Sequence, residues 1–302
     1  MFTVSEQTAQ IDGLPVFWRS AMVEGTPTLY LHGVPSSSDD WVAGKAVQRI
    51  KPRWRRWWRL MRDSDRWIEQ PRPSVGFLER TGGLAVDLPG FGRSGKPNNR
   101  DYTISEYAAF IERFLEALSL ERVRMVVHDW GAVGLAFALA HPDRVERLVV
   151  INAVPLLDGY RWHRTARLWR TPVLGELAMG STTRAVLRYG TREATTAGAL
   201  PDSFIDSILD HFDHGTQRAI LRLYRSSPSE VLAQTGKRLG SLTMPSLVVW
   251  GERDPYIPAV FADRYAQALA NAELLRLADA GHWPWLDRPD VIEQVASFLA
   301  DA

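Results

Sequence analysis

Residues 126–132 read V-V-H-D-W-G-A, and the chemistry they could support centres on Asp129. An apolar run enters His128-Asp129-Trp130-Gly131, and a helical pattern (133–140) follows at once. This is a strand, sharp turn and helix, with Asp129 where the G-x-S-x-G elbow carries its serine. Small residues are favoured on both sides of so tight a turn; Gly131 meets that demand, whereas Val127 departs from it. Such a turn holds a nucleophile out at the strand end, where the next helix's N-terminus favours negative charge. A carboxylate there needs no base to activate it, since its ordinary pKa leaves it ionised at neutral pH. An aspartate that merely caps the helix would satisfy the same local pattern.

Three further segments decide between those readings. His32-Gly33-Val34-Pro35 follows an apolar run at 28–31, so the Val34 and Trp130 backbone N–H groups could form an oxyanion hole. Gly251-Glu252-Arg253-Asp254 follows a run at 246–250, and a carboxylate just past a strand end can orient a histidine. Gly281-His282-Trp283 follows a run at 273–277. Singly, each is an ordinary turn residue or a buried histidine. Together they give the order nucleophile Asp129, acid Asp254 and base His282, each at a strand end.

Elements must place these groups. Candidate strands at 28–31, 83–87, 124–128, 147–151, 246–250 and 273–277 are mostly continuous apolar runs, as in parallel strands buried on both faces. Helical patterns lie between them, among them 104–118 behind a Thr103/Glu106 capping box, 260–269 after Pro258, and 287–299. The alternation predicts an α/β fold with a parallel sheet. Residues 156–242 carry helical patterns without strand signals, so a helical cap (156–242) over a core of 1–155 and 243–302 is expected.

Within the core, 42–75 is an apparent insertion. It holds ten Lys/Arg against three Asp/Glu, leaving 26 basic and 32 acidic residues elsewhere, and four tryptophans (Trp54, Trp57, Trp58, Trp67). Its composition fits a surface excursion with rings packed on the body, or an amphipathic helix for a membrane surface or nucleic acid. As an interruption between the oxyanion-hole loop and the next strand, it could also alter the hole.

The formal charge of +1 gives no global field toward nucleic acid, and no apolar stretch reaches membrane-span length. Without a signal-peptide pattern, a soluble cytoplasmic location is the default expectation. The absence of cysteine excludes disulfides and thiolate metal sites. Gly90-Phe91-Gly92-Arg93-Ser94-Gly95 matches G-x-G-x-x-G, but Lys96-Pro97-Asn98-Asn99 follows instead of a helix, so no dinucleotide site is expected. His211 and His214 find no further ligands in the sequence, and neither metal nor cofactor is anticipated.

At HGVPSSSDDW, DLPGFGRSGKP, VHDWGA, GERDPYIP and GHWPWLDRPD the chain resembles the α/β-hydrolase superfamily, in the branch of epoxide hydrolases and haloalkane dehalogenases. The resemblance covers nearly all of the chain except 42–75. It implies an eight-stranded, mostly parallel sheet, a helical cap after the sixth strand, and a two-step hydrolysis of a small apolar electrophile. Asp129 would displace the leaving group to form an alkyl ester, and His282, held by Asp254, would activate water against that ester. The branches differ in how they treat the leaving atom. Epoxide hydrolases use cap tyrosines, for which Tyr224 is the foremost candidate, with Tyr160 or Tyr189 as a second. Dehalogenases use indole N–H groups, which Trp130, Trp162 or Trp169 could supply. Val127 before His128 is more dehalogenase-like, whereas Val34 replaces the Asn or Glu that dehalogenases often carry, and Ile151-Asn152-Ala153 lacks their alternative acid. Epoxide hydrolysis is the favoured expectation, haloalkane dehalogenation the alternative, and a binding protein on a hydrolase scaffold the outside case.

Overall fold

The computed structural model describes residues 1–43 and 75–300. Most of the basic tryptophan-rich insertion, including Trp54, Trp57, Trp58 and Trp67, therefore lies outside the described residues.

Eight strands form one sheet in the order β1-β2-β4-β3-β5-β6-β7-β8. They are β1 (Ser5–Ile11), β2 (Leu14–Ala21), β3 (Thr28–Leu31), β4 (Gly83–Val86), β5 (Val123–Asp129), β6 (Val145–Ala153), β7 (Ser246–Gly251) and β8 (Ala272–Leu277). β1 and β2 form an antiparallel hairpin, β2 runs antiparallel to β4, and every pairing from β4 to β8 is parallel. The six strands expected from apolar runs are β3 to β8. The hairpin was not anticipated. β1 is exposed along nearly its whole length, so it lacks the buried run that marks the others, although Asp12-Gly13 at its turn is a hairpin signal.

Period-two alternation distributes the strand residues to the two faces. Leu29, Leu31, Met125, Val127 and Val150 join one apolar cluster, while Tyr30, Val126, Val149 and Ile151 join the other. Both faces are buried, which is why the central strands read as unbroken apolar runs.

Helices α1 (Phe77–Thr81), α2 (Ile104–Ala117) and α3 (Val133–Ala140) lie between strands of the first part of the chain. Thr103 caps α2 by accepting the Glu106 N–H at 3.2 Å. Between β6 and β7 come six helices: α4 (Arg164–Arg170), α5 (Leu174–Gly180), α6 (Arg184–Gly190), α7 (Asp202–Asp210), α8 (His214–Ser226) and α9 (Ser229–Gly236). α10 (Val260–Ala268) follows Pro258 as expected. The final helix is broken at Arg288-Pro289, giving α11 (Pro284–Asp287) and α12 (Asp290–Ala300), because proline disfavours helical geometry in the residue before it.

The 90–95 loop is not followed by a helix until α2. Its Ser94 hydroxyl donates to Asp87 O at 2.6 Å and accepts the Phe17 N–H at 2.9 Å. It is a turn that ties β2 to the end of β4. Among the described residues no group of three or more His, Asp and Glu side chains is placed to hold a metal, and no helix is long and apolar enough to cross a membrane.

At the end of β5 the chain turns into the single 3₁₀ turn Trp130–Ala132 and then α3. Gly131 sits so close beneath β3 that an added Cβ would lie 2.2 Å from Leu31 O. A backbone oxygen in the central sheet cannot yield as a side-chain tip would. Gly131→Ala is therefore expected to destabilise the fold by about 2 kcal/mol or more, the upper range for overpacking a core. Urea unfolding midpoints at unchanged m-value provide the check.

Candidate active site

Asp129 is the last residue of β5 and has φ 49° and ψ −118°, a backbone state that L-residues seldom adopt. The strain turns its side chain from the sheet toward the β3 loop. Gly33 makes that approach possible, since a Cβ there would lie 2.4 Å from Asp129 Cβ. The Val34 N–H donates to Asp129 Oδ1 at 2.8 Å, and the Trp130 backbone N–H also bonds the carboxylate. Burial raises the pKa of this carboxyl, while His282 and the two N–H donors pull it back toward the ionised form.

The loop that supplies Val34 is fixed from within the core. His32 is fully buried; its Nε2 accepts the Leu88 N–H at 3.0 Å, so its Nδ1–H donates to Gly33 O at 2.7 Å. Burial lowers its pKa and keeps it neutral. Ser38 N–H and Arg93 N–H both donate to Asp87, at 2.7 Å each. Anchors just after β4 and in the 90–95 loop thus hold the loop that carries the Val34 donor.

Asp254 and His282 complete the cluster. His282 Nδ1–H donates to Asp254 Oδ2 at 2.6 Å, and Nε2 lies 3.6 Å from Asp129 Oδ2. Asp254 is held by the N–H groups of Tyr256 and Ile257 at 2.7 and 3.0 Å and by Asn152 Nδ2 at 2.8 Å. Asn152, at φ 37°, accepts the Gly251 N–H on its Oδ1 at 2.8 Å. The sequence reading noted Asn152 only as the place where an acid is absent; here its amide ties the ends of β6 and β7 and fixes the acid present. Burial by itself would lower the His282 pKa, but the Asp254 charge and hydrogen bond, then Asp129, raise it above the ordinary value. His128 donates from Nε2 to His282 O at 2.8 Å; burial and the adjacent His282 depress its pKa strongly, so it serves as a neutral support.

A cavity of about 270 Å³ opens over these groups, bounded by Asp129, Val34 and His282 below and by the inserted helices above. Tyr224 on α8 reaches it, as does Trp169 on α4. Tyr224 is held edge-on by Trp130 (5.1 Å between ring centroids) and Trp169 (5.1 Å). Its pKa is driven well above the ordinary value by burial and the Asp129 charge, so the hydroxyl keeps its proton.

The other cap candidates are placed differently. Tyr189 is 70% exposed with Arg192 over its ring, so it does not reach the cavity. Its position on α6 faces water, which an unpatterned tyrosine in a sequence does not reveal. Trp162 stacks on Trp130 and donates its indole N–H to Ser227 O at 3.2 Å, so that proton is committed. Tyr160 is buried behind Trp162, and its hydroxyl has no hydrogen-bond partner among the described residues. His211 terminates α7, and its carbonyl accepts from Lys96. Among the cavity residues not singled out from sequence are His163, Tyr256 and Trp283. His163 lies in R-W-H-R-T with no spacing signal, while Trp283 could have been flagged as the neighbour of His282.

The parallel sheet, the strained carboxylate at the end of β5, and the acid and histidine after β7 and β8 are features of one fold family. Residues 26–178 and 215–289 match the family model described as alpha/beta hydrolase fold, and the chain belongs to that family. Haloalkane dehalogenase 1 of Mycobacterium tuberculosis is 33% identical over 189 residues, spanning 58% of this chain and 59% of that protein. Epoxide hydrolase 2 of Caenorhabditis elegans is 24% identical over 230 residues, 69% of this chain and 63% of its own. The chain thus spans less than two thirds of either relative. A 2-hydroxy-6-oxononadienedioate/2-hydroxy-6-oxononatrienedioate hydrolase of Klebsiella pneumoniae is 26% identical over 72% of this chain and 76% of its own length. Among solved structures, haloalkane dehalogenase DbeA of Bradyrhizobium elkani has a TM-score of 0.75 at 22% identity, covering 99% of this chain and 98% of its own. Epoxide hydrolase CorEH has a TM-score of 0.77 at 19% identity, covering 99% of each chain. These likenesses show a shared fold.

Because the Asp129 charge helps raise the His282 pKa, removing that charge must lower it. In Asp129→Asn the imidazole is expected to titrate at lower pH than in the native protein, as read by NMR of the His282 ring. Esterification of Asp129 removes the same charge, so the imidazole would be more readily neutral, and thus a competent base, once an ester has formed.

Proposed function

We propose that the protein is an epoxide hydrolase that works through an ester of Asp129, with residues 156–242 acting as a cap over the site. Supporting this reading is one observation above all: Tyr224, a protonated hydroxyl, borders the same cavity as Asp129 and His282.

Asp129 Oδ1 is engaged by Val34 N–H, leaving Oδ2 as the attacking oxygen. It bonds to an epoxide carbon as the carbon–oxygen bond opens, and the ring oxygen takes the Tyr224 proton. His282 Nε2 then removes a proton from water, whose oxygen adds to Asp129 Cγ. Negative charge develops on Oδ1, which the Val34 N–H already engages while the Trp130 N–H lies by the same carboxylate, so stabilisation requires no rearrangement. Asp254 keeps the His282 tautomer fixed and offsets the imidazolium charge. Collapse returns the carboxylate and releases the diol, while His282 passes its proton on to restore Tyr224.

Haloalkane dehalogenation is the second reading. It is favoured by the indole N–H of Trp283, which borders the cavity and is buried without a hydrogen-bond partner among the described residues. Against it, Val34 has no side-chain donor and the Trp162 proton is taken.

Assays on styrene oxide and 1-bromobutane separate the two. Diol is expected, and Tyr224→Phe should lower its rate by about 100-fold or more, the usual contribution of a general acid. Halide release without diol would replace this reading with the second. One turnover by excess enzyme in ¹⁸O-water should give product whose new oxygen is unlabelled, because it comes from Asp129. Labelled product would mean that water attacks the substrate directly.

A further inference from the structure

The run G-H-W-P-W-L-D at 281–287 ends in a carboxylate that the reaction above does not use. Asp287 is the last residue of α11 and is half-buried. Its neighbour Arg288 pairs with Asp279 and Asp290, and Asp287 itself forms no ion pair among the described residues. A negative charge at the carboxyl end of a helix gains nothing from the helix dipole. Its oxygens accept from three donors instead. Oδ2 takes the Gly281 N–H at 2.9 Å, while Oδ1 takes the Thr196 N–H at 2.9 Å and the Thr196 hydroxyl at 2.7 Å.

Those donors come from two distant parts of the chain. Gly281 immediately precedes His282, whereas Thr196 lies between α6 and α7. The two segments meet closely: a Cβ on Gly281 would lie 2.3 Å from Ala194 O, and the same oxygen accepts the His282 N–H at 3.0 Å. Residues 194–198 are themselves cross-linked. Thr195 and Gly198 exchange both backbone hydrogen bonds, at 3.2 and 3.1 Å, and the Thr195 hydroxyl donates to Gly198 O at 2.9 Å. Ala194 is fully buried in the cluster that includes Leu200, Phe204 and Trp283. His282 is thus held at its ring by Asp254, at its carbonyl by His128 and at its N–H by the inserted segment. The third hold keeps its register only while 194–196 stays seated, and Asp287 bonds both sides of that joint.

We infer that Asp287 is a positioning residue for His282: its carboxylate fastens the 194–196 segment to Gly281 and so sets the direction in which the base presents Nε2. It touches neither the substrate nor the reacting atoms. The inference rests on the ester reading above, in which His282 acts in the second step. Loss of the fastening therefore tells on ester hydrolysis, when Nε2 takes a proton from water as the water oxygen adds to Asp129 Cγ. Alkylation, which Asp129 and Tyr224 carry, does not depend on it. The joint lies between α6 and α7, apart from the contacts on α8 that hold Tyr224.

Rapid quench and intact-mass spectrometry with styrene oxide separate the two steps. Asp287→Asn is nearly isosteric but offers one acceptor oxygen where two are needed. It should slow ester hydrolysis by roughly 10- to 100-fold, the scale of a displaced catalytic group, with alkylation within about 2-fold of wild type, so that alkylated protein accumulates. Asp287→Glu, which has both oxygens, should recover part of the rate. Hydrolysis at the native rate in Asp287→Asn, or equal slowing of both steps, overturns the inference. Where that variant does not fold, Thr196→Val decides, since the Thr196 side chain is exposed. Losing one hydrogen bond to a charged group should slow hydrolysis alone by about 5-fold or more, and an unchanged rate overturns the inference equally. Native protein that forms no alkyl-enzyme with any epoxide would instead sink the functional reading. The downfield NMR line of the His282 Nδ1–H then still answers: it should broaden through faster solvent exchange in Asp287→Asn, and an unaltered line overturns the inference.

Discussion

The backbone of one residue organises this molecule. Asp129 occupies a left-handed conformation at the carboxyl end of β5, a state that costs on the order of 1–3 kcal/mol unless its surroundings impose it. Here they do. β5 lies in mid-sheet between β3 and β6, and the Asp129 carbonyl accepts the Val154 N–H at 2.9 Å. The β3 loop closes over it at Gly33, and the Gly131 turn lies against Leu31. Two glycines with no room for a Cβ, on either side of the same strained residue, leave the chain one way to pass. The carboxylate therefore arrives in contact with the N–H groups of Val34 and Trp130 before any substrate does.

The electrostatics around it concentrate function on one imidazole. Three histidines, His32, His128 and His282, are buried near the elbow. His32 and His128 are driven to the neutral state by burial and serve as hydrogen-bond linkers to Gly33 O and His282 O. Of the three, His282 is the one with carboxylates within 4 Å of its ring nitrogens, Asp254 and Asp129, and only its pKa rises. A fully buried Asp254 would be costly alone, but donors from Tyr256, Ile257, Asn152 and His282 surround it. The four come from the ends of β6, β7 and β8, so the sheet's own register carries the precision of the site.

The parts legible in the sequence are those with local physical signatures. Strands buried on both faces must be continuous apolar runs, so β3 to β8 could be read, and with them the loops carrying Val34, Asp129, Asp254 and His282. β1 could not be read that way because it is an exposed edge, and only Asp12-Gly13 announced the hairpin. The inserted helices were legible as helical, yet which of their side chains turn inward was not. Tyr224 and Tyr189 look alike in one dimension; α8 buries the first and α6 exposes the second. His163 and Tyr256 meet His282 only because the loops after β6, β7 and β8 converge, and no spacing rule spans those distances.

That asymmetry separates mechanism from selectivity. The elbow, donors and His282 belong to the sheet and suit any displacement at carbon followed by ester hydrolysis. On the proposed reading the leaving atom would be met by groups from the inserted helices, whose mutual positions rest on their own cross-links. Arg170 donates to the carbonyls of Tyr224 and Ser227, Trp162 donates to Ser227 O, and Arg225 pairs with Glu176 at 2.7 Å. These contacts tie α4 and α5 to α8, and so set where Tyr224 stands relative to His163 at the start of α4. Trp130 contributes to both layers: its backbone N–H bonds the Asp129 carboxylate, while its ring props Tyr224 and stacks on Trp162. A change in helix packing there would move Tyr224 and leave the groups at the strand ends in place. On the proposed reading, identity of the substrate would be decided in the layer where the sequence is least regular, above a set of groups that the strand ends hold fixed.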